Sequence, residues 1–128
     1  MSISTHILPG PLPPEPVAWQ SPPGAGAVVR FEGVARPREG DRAIDALDYE
    51  AYEPMASRTL RGLAERICAE HGLLGICVEH SAGRVAVGEC SFRLRVAGAH
   101  RREALAAMGQ FIDQLKQDVP IWKKPVWA

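Results

Sequence analysis

Twelve of the fifteen basic residues in this sequence are arginine, and the three lysines, Lys116, Lys123 and Lys124, all fall within one stretch of residues 111–124. Arginine stays charged, whereas a desolvated lysine can give up its proton and act as a base or nucleophile. Clustered lysine in an arginine-rich sequence therefore points to proton handling beside an anion. Pro120 must end the preceding helix. Trp122 is expected to anchor the segment so that Lys123 is held in place. The competing reading is a basic, frayed terminus with an incidental tryptophan.

Two further basic groups accompany the lysines. Arg36 and Arg38, with Arg42 beyond them, sit in a polar loop over residues 33–42. His100, Arg101 and Arg102 stand where a strand gives way to a helix, and free backbone N–H groups there favour an anion. Lys116 follows the apolar Leu115, about 100° round the helix, at the edge of the buried face.

The rest offers little chemistry. His80-Ser81 belongs to no triad, and no nucleophile elbow is present. The four histidines lack metal-ligand spacing, and Cys68, Cys77 and Cys90 form no C-x-x-C pair, so no metal site, cofactor or disulfide framework is expected. Net charge is zero, giving no global field for nucleic acid or an anionic membrane. No membrane-length apolar run or signal peptide is found, so a reducing cytoplasm is the expected location.

The elements that must position these groups can be read in order. A short edge strand over residues 2–8 leads into a proline-rich connector, residues 1–24 holding seven of eleven prolines. Strands follow over 24–32 and 43–52. A helix starts near Pro54, carries Leu60, Leu63, Ala64, Ile67 and Cys68 as its stripe, and closes at His71-Gly72. Residues 73–80 form an apolar strand, residues 81–83 a turn into 84–87, and Gly88 a bulge or close backbone approach. Cys90, Phe92, Leu94 and Val96 alternate with Ser91, Arg93 and Arg95 over 89–97, a half-buried strand with the arginines outward. The second helix, about 100–116, presents Ala104, Leu105, Met108, Phe111, Ile112 and Leu115. The expected fold is α+β, a mostly antiparallel sheet with helices packed on it, and residues 1–128 form one domain by length.

Five stretches in order then become specific: Phe31-Glu32-Gly33-Val34-Ala35-Arg36, LDYEAYEPMA over 47–56, GRVAVGE over 83–89, Ala99-His100-Arg101, and FIDQLK with VPIWKK over 111–124. Together they resemble the large, catalytic subunit of molybdopterin synthase, the MoaE family, across residues 24–124. The resemblance implies an α/β-hammerhead-like fold and a homodimer. Each end would take a small ubiquitin-like sulfur carrier (MoaD-like) with a C-terminal thiocarboxylate. Sulfur would pass from that tail to cyclic pyranopterin monophosphate, making the dithiolene of molybdopterin.

Carried over by motif, Lys116 and Lys123 are the catalytic residues, and the resemblance implies that Lys116 faces a pocket walled by Arg36, His100 and Arg101, where its pKa is expected to fall below that of free lysine. Val34, Ala35, Arg36, His100, Arg101, Lys124 and Pro125 join them in substrate binding, and Phe31 supports the wall. Pro125 stands where the family usually has an acidic residue. The alternative is a non-catalytic relative that binds a pterin or nucleotide phosphate, or scaffolds the small subunit.

Overall fold

The computed structural model describes residues 1–128. Its sheet is organised around β5 (Gly75–Ala86), which changes partners along its length. The first part lies between β1 (Ser2–Pro9), parallel to it, and β6 (Cys90–Gly98), antiparallel. From Gly83 onward it pairs instead with β4 (Arg42–Ala51). β4 is flanked in turn by β7 (Ile121–Trp127) and carries the two-residue β3 (Arg38–Glu39). β2 (Ala27–Val34) forms the far edge against β6. The sheet is thus mostly antiparallel, as expected.

The helices α1 (Met55–His71) and α2 (Arg101–Asp118) pack on one face. Leu60, Leu63 and Ile67 from α1 and Phe111 from α2 meet Ile76, Val78, Leu94 and Val96 of the sheet, all essentially inaccessible. Gly72, left-handed at φ 62°, ends α1 and returns its N–H to the Cys68 carbonyl. On α2 the buried stripe runs through Ala107; Leu105 is 55 % exposed and points away from the core.

Four local expectations are corrected. Residues 81–83 are not a turn: β5 runs straight through them, and the glycine at 83 (φ 100°) marks the change of partner. Gly88 is no bulge but part of a tight turn in which the Glu89 N–H donates to the Ala86 carbonyl at 3.0 Å. Residues 121–127, where the competing reading put a frayed terminus, form β7, paired with β4.

The arginine face of β6 is the fourth. It is covered by the proline-rich segment, strapped across the sheet opposite the helices. Arg93 Nη2 donates to the Pro13 carbonyl and Arg95 Nη2 to the Val17 carbonyl, each at 2.7 Å. Glu79, 0 % exposed, accepts from the Val17 N–H at 3.3 Å and from Arg93 Nη1 at 3.1 and 3.2 Å. Backbone and charged groups thus satisfy one another under the strap, which is what allows both ions to be buried.

Candidate active site

A cavity of about 520 Å³ opens where the two halves of the sheet meet the C-terminal end of α2. β2 and the loop after it supply Phe31, Gly33, Val34 and Arg36, and β3 supplies Glu39. Leu47 and Tyr49 come from β4, His80 from β5, and Ser91 and Phe92 from β6. Ile112, Leu115 and Lys116 descend from α2, and Ile121, Trp122 and Lys123 from β7. Its inner wall is buried, with Leu47, His80, Ser91, Phe92 and Leu115 each between 5 and 8 % exposed. The rim is charged: Arg36, Lys116 and Lys123 are cations, and Glu39 is the carboxylate.

Local sequence explains the convergence. Val119 and Pro120 end α2 and turn the chain into β7, where register with Tyr49 fixes the backbone of Lys123. Arg36 reaches the same cavity through the loop between β2 and β3. Lys123 Nζ sits 3.2 Å from Glu39 Oε1. The β4–β7 ladder holds Lys123, not Trp122, which is 55 % exposed and meets Tyr52 edge-on at 6.4 Å.

Other site residues lie elsewhere. Ala35 is buried in backbone pairing, donating to the Glu89 carbonyl and accepting from the Gly88 N–H. Lys124 falls on the opposite face of β7 from Lys123, opposite Asp48 in register, and Pro125 pairs with Leu47 without lining the cavity. The guanidinium of Arg84 holds the Asp48 carboxyl below its ordinary range.

His100 and Arg101 are the larger departure. They line a separate shallow depression at the N-terminal end of α2 with His71, Arg102 and Glu103, and the His100 side chain is 83 % exposed. Arg101 and Lys116 bound almost the whole helix, ~22 Å apart at 1.5 Å per residue. One chain therefore does not bring the two sets together. Lys116 is itself exposed, so this chain alone does not provide the expected desolvation.

Sequence reading passed over Glu39, Tyr49, His80 and Ser91. His80 was the most accessible signal: it is in phase with Ile76 and Val78, so its ring joins the core side of β5 rather than solvent. Tyr49 meets it edge-on at 5.2 Å, and Phe92 packs at 5.8 Å. Burial pushes the imidazole below its ordinary pKa, opposed by the hydrogen bond from Nδ1 to the Ser81 carbonyl at 2.8 Å.

The fold and cavity define a class: an α+β protein with a half-buried, cation-rimmed pocket suited to an anionic substrate. The family model for "MoaE protein" matches residues 11–118. A molybdopterin synthase catalytic subunit of Aspergillus niger is 37 % identical, over 99 % of this chain and 72 % of the relative. One from Arabidopsis thaliana is 39 % identical over 88 % of this chain, which spans only 57 % of that relative. The crystal structure of molybdopterin synthase from Staphylococcus aureus superposes with TM-score 0.77 at 31 % identity, covering 84 % of this chain and 78 % of that one. A complex of subunits 1 and 2 of molybdopterin-converting factor from Helicobacter pylori, 23 % identical with TM-score 0.72 over 97 % of this chain and 89 % of that one, shares the fold. The chain belongs to the MoaE family.

Proposed function

We propose that this chain is the catalytic subunit of a molybdopterin synthase. It takes sulfur from the thiocarboxylated C-terminus of a small ubiquitin-like partner and delivers it to cyclic pyranopterin monophosphate, building the dithiolene. The observation that carries the reading is the convergence of Arg36, Lys116 and Lys123 on one cavity from a loop, a helix end and a strand. A thiocarboxylate tail and a phosphorylated pterin are both anions, and three donor-only cations at the rim suit both.

In this reading Lys116 and Lys123 stand at the reacting centre and Arg36 holds substrate, with Val34 and Phe31 on the wall. Entry of the tail covers Lys116 and supplies the desolvation that the chain alone lacks. Substrate anions also draw on His100 and Arg101. Because these lie at the far end of α2, a homodimer accommodates both sets by letting one protomer's depression face its partner's cavity. Ala35, Lys124 and Pro125 then act through the backbone that frames the pocket. No helix is long and apolar enough to cross a membrane; a single-domain enzyme working in the cytoplasm completes the proposal.

The test is Lys116→Arg, which keeps the charge but not a readily lost proton. Supplied with thiocarboxylated partner and pyranopterin, this variant is expected to bind both and form no dithiolene. Near-normal dithiolene formation would remove the proton-transfer role. No dithiolene from the unaltered protein would favour a scaffold that only binds.

A further inference from the structure

We propose that His80 is the proton acceptor of the cavity, its Nε2 taking a proton from the water that frees sulfur from the acyl group delivering it. The proposal rests on the sulfur-transfer reading above.

Side-chain chemistry narrows the choice. Arg36 can only donate, and the lysines donate while they are charged; the part given to Lys116 above is to release a proton, not to take one from water. Glu39 is engaged with Lys123 at the rim. On the inner wall, the Tyr49 hydroxyl donates to Ser91 Oγ at 3.2 Å, and Ser91 Oγ donates to the Gly33 carbonyl at 3.4 Å. His80 remains. The Ser81 carbonyl can only accept, so the 2.8 Å contact places the ring proton on Nδ1. The neutral ring then keeps its lone pair on Nε2, which makes no hydrogen bond within the chain and belongs to a ring that lines the cavity.

The ring is also held and poised. Only 7 % of the residue is exposed, and Tyr49 and Phe92 pack against the imidazole. Burial disfavours the imidazolium. Facing it around the cavity stand Arg36, Lys116, Lys123, Glu39 and the Tyr49 hydroxyl, and the hydrogen bond to the Ser81 carbonyl works against the effect of burial. At neutral pH the lone pair is free to act as a base.

The reaction needs such a base. A thiocarboxylate sulfur that has attacked the substrate carbon is bonded to that carbon and still to its own acyl carbon. Water must cut the second bond. Its oxygen bonds to the acyl carbon while one proton passes to His80 Nε2. The carbon–sulfur bond then breaks, its electron pair leaving on sulfur as a thiolate. The carboxylic acid so formed ionises to solvent, and His80 returns its proton to solvent. No oxidant or reductant is required, and the rim cations hold the oxyanion that forms during attack.

The experiment uses the full chain with thiocarboxylated partner and pyranopterin, following dithiolene formation against pH and acid-quenched adducts by mass spectrometry. In the unaltered protein the rate should fall as pH drops through the His80 pKa, because the imidazolium cannot accept a proton. In the same acid range a species joining partner and substrate through sulfur should accumulate. His80→Gln should lower kcat by about 10²–10⁴-fold, abolish that acid limb, leave KM within about twofold and accumulate the same adduct at neutral pH. His80→Gln retaining both the acid limb and near-normal kcat would overturn the proposal. So would the absence of adduct at low pH in the unaltered protein, an arm that holds even if the variant folds poorly. Absence of both dithiolene and adduct at every pH would instead bring down the sulfur-transfer reading and this proposal together.

Discussion

Glu79→Leu should destabilise the chain severely while leaving every residue of the cavity in place. Glu79 is 0 % exposed and Arg93 1 % exposed, so the pair is fully withdrawn from water. Removing the carboxylate strips Arg93 Nη1 of contacts at 3.1 and 3.2 Å, Arg95 Nη2 of one at 3.4 Å, and the Val17 N–H of its acceptor. Arg93 keeps the Pro13 carbonyl at 2.7 Å and the half-exposed Glu32 at 3.0 Å. Arg95, whose Nε already lacks a partner, keeps the Val17 carbonyl. An uncompensated buried charge of this kind costs about 3–5 kcal/mol, a large share of the ~5–15 kcal/mol that holds a domain together. In urea, with a slope of about 1–3 kcal/mol per M, the midpoint should drop by about 2 M. The double change Glu79→Leu with Arg93→Leu removes both buried charges of the central pair and should recover much of the loss. A midpoint within about 0.3 M of the unaltered protein for Glu79→Leu would refute the reasoning: water would then have to reach the guanidinium beneath the strap.

Burial pushes the Cys68 thiol up to about 11, and Cys77 is likewise raised by burial. Neither should react with a disulfide reagent at pH 8 until the chain unfolds, as peptide mass spectrometry after native and denatured labelling would show. Gly26→Ala would put Cβ 2.3 Å from the Ala99 carbonyl oxygen, a backbone atom that cannot swing aside. A loss of about 1–3 kcal/mol by urea titration is expected. Gly109→Ala on the open face of α2 meets nothing within 4 Å and should gain about 0.5–1 kcal/mol in the same titration.

What could be read in advance was whatever lies within one turn or one strand. The α1 stripe and its glycine stop follow from 3.6-residue spacing, and the structure buries every member of that stripe. The lysines stood out through residue type alone. The arginine face of β6 misled because alternation shows which side chains share a face, not what covers it. The covering residues, 13 and 17, lie about 80 positions from Arg93 and Arg95. β7 was missed because Lys123, Lys124 and Pro125 do not write a strand pattern; its pairing with β4 is set by a partner 70 or more residues earlier.

The cavity shows how local and distant order combine. Lys116 and Lys123 are seven residues apart, yet both reach one volume because Val119 and Pro120 break the helix between them. Arg101 and Lys116 are fifteen apart with no break, and an unbroken helix turns that spacing into ~22 Å. Motif order along the chain therefore carried the family but not the geometry of its site. The helix end, where one rigid element stops and the next begins, decides which basic residues can share a substrate. It also explains why His80 was set aside. Its strand is continuous, its same-face neighbours Ile76 and Val78 are apolar, and only the arrival of α2 and β7 on the same side turns a core histidine into part of a cavity wall.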